Sequence, residues 1–155
     1  MRRTIFWTVA VMLSVAGLIQ YVRSDEVLAP ITQEELSQTQ IFAYRDWQSS
    51  GVRVDVDSRV RIQANGEWSY TPGEFHGPEG HARYRSPVFY PVRGVPGGIL
   101  IGRIGETGRP FVVGQGTTHR AGQNEHGTLF LRINDDILSD NDGMVTIHVT
   151  VAGEP

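Results

Sequence analysis

Two patterns of apolar residues divide the chain. Thr4–Val22, TIFWTVAVMLSVAGLIQYV, runs for nineteen residues without a charge. As a helix it would reach about 28 Å, close to the hydrocarbon thickness of a bilayer. From about Ile41 the period changes to two. Val52, Val54 and Val56 alternate with Arg53, Asp55 and Asp57, and after Asp57-Ser58 the residues Val60, Ile62 and Ala64 alternate with Arg59, Arg61 and Gln63. Alternation marks half-buried strands, and the tight spacing predicts an antiparallel hairpin. Asn65-Gly66 is a turn signal ahead of a short strand, Trp68–Tyr70. Ile99–Ile104 and Pro110–Val113 read as strands around the turn Gly105–Gly108. Leu129, Leu131 and Ile133 share one face of the next strand. In the last, Val145, Ile147, Val149 and Val151 face the core, opposite Thr146, His148 and Thr150. No stretch after residue 40 shows a period of 3.6. The expected class is all-β, an antiparallel two-sheet sandwich preceded by one N-terminal transmembrane or signal helix.

The expected division is 1–23 as signal anchor or signal peptide, 24–40 as polar linker and 41–155 as the β-sandwich domain. Arg2 and Arg3 precede the apolar run, whereas Arg23 is followed by Asp25 and Glu26, so the positive-inside bias puts the domain outside the cytoplasm. Trp7 and Tyr21 lie where amphipathic rings favour the interface. Val15-Ala16-Gly17 offers small residues for cleavage but no clean A-x-A motif follows. The expectation is a single pass of the inner membrane, with a secreted or periplasmic domain after cleavage as the alternative. Ser24–Gln40 carries Pro30 and Glu34-Glu35. Glycine and proline supply 26 residues, which suits short strands and tight turns.

Charge narrows the partners. All fourteen basic residues are arginine, and beyond Arg23 eleven arginines face seventeen carboxylates. Nucleic acid needs a basic stripe, so it is excluded as a partner, and a divalent cation suits this balance better. Without cysteine there is no disulfide, zinc–thiolate site or cysteine nucleophile.

The densest chemistry lies before the last strand. Asn134, Asp135, Asp136, Ser139, Asp140, Asn141 and Asp142 fall within ten residues and are closed by Gly143. Clustered carboxylates repel unless neutralised, and calcium takes six to eight oxygens from such mixed ligands. An EF-hand is excluded: with Asp140, Asp142 and Gly143 in its third, fifth and sixth positions, apolar Leu138 and Val149 would hold the first and twelfth. The same residue types also make turns, so a polar loop here needs no ion. His76 and His81 bracket Gly77–Gly80, and paired histidines with a glutamate can hold zinc, although loop histidines are more often simply solvated. No catalytic residue is assigned. Asp135 with Glu74 or Glu79 could serve glycoside hydrolysis only at a separation the sequence does not fix. In the irregular stretch Thr71–Gly98, the rings of Phe75, Tyr84, Phe89 and Tyr90 either stack on a sugar or plug the sandwich end, with plugging expected of Phe89.

The pieces GEWSY, HGPEG, GGILIGRIGETGRPFVVG and GTLFLRINDDILSDNDGMVTIHV resemble the bacterial calcium-dependent galactophilic lectins of the PA-I type, over Gly66–Val151. The resemblance implies a small jelly-roll sandwich that recognises a galactoside-like carbohydrate through calcium. Asp135 matches the calcium- and sugar-binding aspartate, Asp140 and Asn141 match an asparagine pair, and Tyr70 offers a backbone carbonyl. Ser139 completes the candidate metal set. The candidate ligand-binding set is Asp135, Asp136, Asn141, Tyr84 and His81, the family's sugar-contacting histidine falling near Tyr84. The stretch between Asp135 and Asp140 is two residues shorter than in the lectins, and Asp140 replaces an asparagine. The alternative function is a structural or protein-interaction domain of an envelope assembly. Partners are then a glycan, the membrane through the N-terminal helix, and a homo-oligomer or envelope protein.

Overall fold

Alternating apolar and polar residues build strands with one dry face, and the computed structural model, which describes residues 35–152, has eleven of them. They are β1 (Glu35–Phe42), β2 (Gln48–Val54), β3 (Arg59–Thr71), β4 (Glu74–His76), β5 (His81–Arg85), β6 (Pro96–Gly97), β7 (Leu100–Ile104), β8 (Phe111–Val112), β9 (Gly116–Arg120), β10 (Gly127–Ile133) and β11 (Asp142–Ala152). No helix occurs among the described residues. The apolar segment Thr4–Val22, and with it the anchor or signal peptide, lies outside them.

One sheet has the order β1-β11-β3-β4, with β9 also paired to β3. The other has the order β2-β10-β7-β8, and β5 and β6 form a separate ribbon. All pairings are antiparallel. From β11, Val145, Ile147 and Val149 point inward, fully buried, and meet Leu129, Leu131 and Ile133 of β10 in one core with Val52, Val54, Val60, Ile62 and Trp68. Each such side chain contributes about 1.5–3 kcal/mol on burial. The expected faces of β10 and β11 are therefore those observed, and β7 and β8 fall within the stretches expected to be strands.

Three local expectations are corrected. The hairpin expected from Val52 to Ala64 does not form: β2 and β3 belong to opposite sheets. The connection is an arch across the core, with Asp57 at φ 64° and the backbone of Asp57 and Ser58 bonded to Ala121. Val56 falls in this arch and is exposed rather than in the core. Residues 35–40, expected in the linker, belong to β1, which pairs with β11 from Glu35↔Val151 to Phe42↔Met144. Asn65-Gly66 is no turn, because β3 runs straight through it. A Cβ on Gly66 (φ +118°) would stand 3.0 Å from Met144 O, so glycine here admits a close neighbouring strand.

Candidate functional site

The sandwich end is organised by Asn134, the first residue after β10. Its backbone joins Ile99 O (2.8 Å) and Gly98 N (3.0 Å). Its fully buried side chain accepts from Val92 N (2.9 Å) and donates to Val92 O (2.8 Å) and Ser86 Oγ (3.2 Å). The irregular stretch between β5 and β6 is thereby fastened over the loop 134–141. Trp68 Nε1 adds a bond to Gly98 O (2.9 Å). Gly98 (φ +71°) and Gly97 let aromatic rings approach, since a Cβ on them would stand 2.8 Å from Tyr70 Cδ1 and 2.6 Å from Tyr84 Cδ1, respectively.

Asp135 lies beneath this cover, only 2 % exposed. Its Oδ1 accepts from Asp136 N (2.9 Å), but Oδ2 is buried with no hydrogen-bond partner. Asn141 is also buried, 6 % exposed. Its Nδ2 donates to Ala43 O (3.3 Å), while Oδ1 has no partner. Burial pushes the Asp135 carboxyl above its ordinary value; the Asp136 N–H, and the Tyr90 hydroxyl and Asn141 amide nearby, which do not reach hydrogen-bond geometry on Oδ2, pull more weakly the other way. Burial and the neighbouring Asp135 likewise push the Tyr90 phenol well up, so it remains a neutral donor.

Two buried acceptor oxygens without a donor are costly, at about 1–3 kcal/mol each, and form the kind of site a hard cation fills. Both Asp135 Oδ2 and Asn141 Oδ1 are oxygens of the kind calcium takes as ligands. Tyr70 joins them through the strand register. Asp142 pairs with Ser69, so Asn141 and Tyr70 follow one another across β11 and β3. On its other side, Tyr70 is the unpaired residue of a bulge between Ser69 and Thr71, so its backbone leaves the β3–β4 ladder there. Asp136, Ser139 and Asp140 are exposed on the loop surface, apart from the buried pair.

Arg132 is the cation already beside the loop. Its guanidinium donates to Ile133 O (2.9 Å) and Asp135 O (2.6 Å) and pairs with Asp46. It thus grips the backbone carbonyl of Asp135 and leaves the carboxylate Oδ2 unpartnered.

The ring cluster is Tyr70, His76, His81, Tyr84 and Tyr90. Tyr84, 39 % exposed, lies 6.2 Å from Tyr70, 6.5 Å from His81 and 6.4 Å from Tyr90, centroid to centroid. Phe89 does not plug the sandwich end as expected: it is 64 % exposed, and Tyr90 turns inward in its place. Arg132 was missed by sequence reasoning, and Tyr90, Asn134 and Glu74, named there among the rings, the loop polar residues and the carboxylates, stood outside the candidate cation and glycan sets. Only Glu74 had a legible signal, because Glu74-x-His76 puts two ligating side chains on one strand face. A groove of about 200 Å³ lined by Phe42, Tyr44, Asp142, Gly143 and Met144 opens next to Asn141. A wider one of about 590 Å³, on the polar face around Gln63, Glu67 and His148, includes none of the site residues.

No protein-family model and none of the curated proteins matches the chain. Among solved structures it is similar to one described as "EclA N-terminal domain; PllA-like lectin", with a TM-score of 0.56 and 19% identity, over 74% of this chain and 95% of that one. The fold is lectin-like. At that identity the likeness extends to the architecture alone.

Proposed function

We propose that this domain binds carbohydrate through a calcium ion held by Asp135, Asn141 and the backbone carbonyl of Tyr70. The observation that carries the proposal is the pair of buried, unpartnered oxygens, Asp135 Oδ2 and Asn141 Oδ1. Asp140 and Ser139, exposed on the same loop, would join the shell as the loop closes on the ion. Bound there, calcium supplies a positive centre that accepts sugar hydroxyl oxygens as further ligands. Asp136 and Tyr84, both exposed, would contact that sugar together with His81, whose ring lies 6.5 Å from that of Tyr84. The lectin-like architecture supports a carbohydrate-binding rather than a catalytic role, and the sequence pieces that resemble galactophilic lectins support a galactoside-like ligand. The apolar segment Thr4–Val22 supports display of the domain outside the cytoplasm, anchored or released.

A structural role is the second reading, and Arg132 favours it. Its guanidinium already neutralises and ties down this loop through Asp46 and Asp135 O. Calorimetric titration of calcium into the metal-stripped chain separates the two readings. Saturable binding that Asp135→Asn abolishes supports the first. A folded chain that takes up no calcium leaves the structural role.

A further inference from the structure

We infer that Glu74, His76 and His81 form a second metal site, one for zinc or a similar borderline divalent ion, with a ligand set separate from the Asp135 loop. The three side chains come from the short strand β4 and the first residue of β5, and one ligand atom from each lies within 4.8 Å of the others. Glu74 Oε2 is 3.6 Å from His76 Nε2 and 3.7 Å from His81 Nδ1. Ligands bound to tetrahedral zinc at about 2.0–2.2 Å stand roughly 3.3–3.6 Å from one another, so the metal-free spacing is already close to a coordination shell.

A second observation is independent of spacing. His76 Nε2 is buried and has no hydrogen-bond partner. An imidazole nitrogen rarely goes without one, and a metal would use that lone pair. Two imidazoles and one carboxylate suit zinc, whereas calcium prefers oxygen alone, so the two sites sort their ions by ligand chemistry. The sequence pointed to Glu79 as readily as to Glu74. Glu79 is instead engaged by Gln115 Nε2 at 2.9 Å.

Tyr70 makes the inference sharper. Its hydroxyl stands 2.7 Å from His81 Nδ1, and the two share a hydrogen bond. That bond occupies the His81 nitrogen that faces Glu74. Metal uptake therefore displaces the Tyr70 hydroxyl. The two imidazoles stack at 4.4 Å with planes 16° apart, and uptake also tilts them, because lone pairs in nearly parallel planes do not converge.

The test uses the full chain in mild detergent, stripped of metal, titrated with zinc chloride by calorimetry and with cobalt(II) by visible absorption. One saturable equivalent of zinc is expected, with cobalt bands of a tetrahedral nitrogen–oxygen site and a change in tyrosine absorption as Tyr70 is released. His76→Gln should weaken zinc binding by more than the roughly 10- to 100-fold typical of outer partners. Glu74→Gln, at an exposed position that leaves the fold intact, should do the same. Tyr70→Phe should tighten it. His148→Gln and Asp135→Asn should leave it unchanged, which keeps this result separate from the calcium site. No saturable zinc binding by the folded chain, or equal affinity in Glu74→Gln, would overturn the site. Weaker binding in Tyr70→Phe would overturn the displacement.

Discussion

Replacing Asp135 with asparagine should move stability in opposite directions with and without calcium. In the metal-free protein, Oδ2 of Asp135 and Oδ1 of Asn141 are both buried acceptors without donors. An amide at position 135 turns one acceptor into a donor and removes a charge that burial disfavours. Each orphaned group costs about 1–3 kcal/mol, so relief of both could reach several kcal/mol. Against this stands the lost attraction of Arg132, which is modest because its hydrogen bond goes to Asp135 O and survives the substitution. A net gain of about 1 kcal/mol is expected, raising Tm by roughly 4 °C for a domain of this size. At calcium a hundredfold above Kd, the wild type should gain about 2.7 kcal/mol and the variant nothing. Thermal unfolding in chelator and in calcium reads both effects, and the two proteins should exchange rank. A variant less stable than wild type in chelator, or an equal calcium shift in both, would refute the orphaned-acceptor argument.

The remaining predictions follow from the same geometry. Because burial raises the Asp135 pKa, the folded metal-free protein binds this proton more tightly than the unfolded chain. Its metal-free stability therefore falls as pH rises between the unfolded and folded pKa values. Protons also compete with calcium there, so titrations from about pH 4 to 7 should show affinity weakening at a higher pH than for an ordinary aspartate. Gly98→Ala combines φ +71° with a Cβ 2.8 Å from Tyr70, whereas Gly51→Ala has φ +78° and open space. Both pay positive-φ strain of about 1–3 kcal/mol, but urea denaturation should show the larger loss for Gly98→Ala. Asn134→Ala should cost about 3 kcal/mol and leave the Val92 amide unprotected in hydrogen exchange, since Asn134 Oδ1 is its acceptor.

The strand faces were legible where alternation was long: β10 and β11 bury the residues their patterns point inward. Alternation gives the face of a strand and is silent on its neighbour. Val54 and Val60 look the same whether their strands lie side by side or face each other across the core. An arch closed by Asp57 in the left-handed region carries no glycine to announce it. The site divides in the same way. Asp135 and Asn141 stood out because acidic and amide residues crowd one loop. Tyr90 and Val92 did not, because the loop that carries them reaches Asn134 across 42 positions of chain, through bonds to a side chain with no local pattern. Glu74 lay between, on the same strand face as His76 but without a motif linking both to His81.

Glycan binding tests the central claim most directly. The full chain, labelled and in mild detergent, would be applied to an array of galactosides and other glycans in calcium and again in chelator, beside Asp135→Asn. The account predicts galactoside-type binding in calcium that disappears in chelator and in the variant. A folded chain that binds no glycan in either buffer, or binds equally in both, would contradict it.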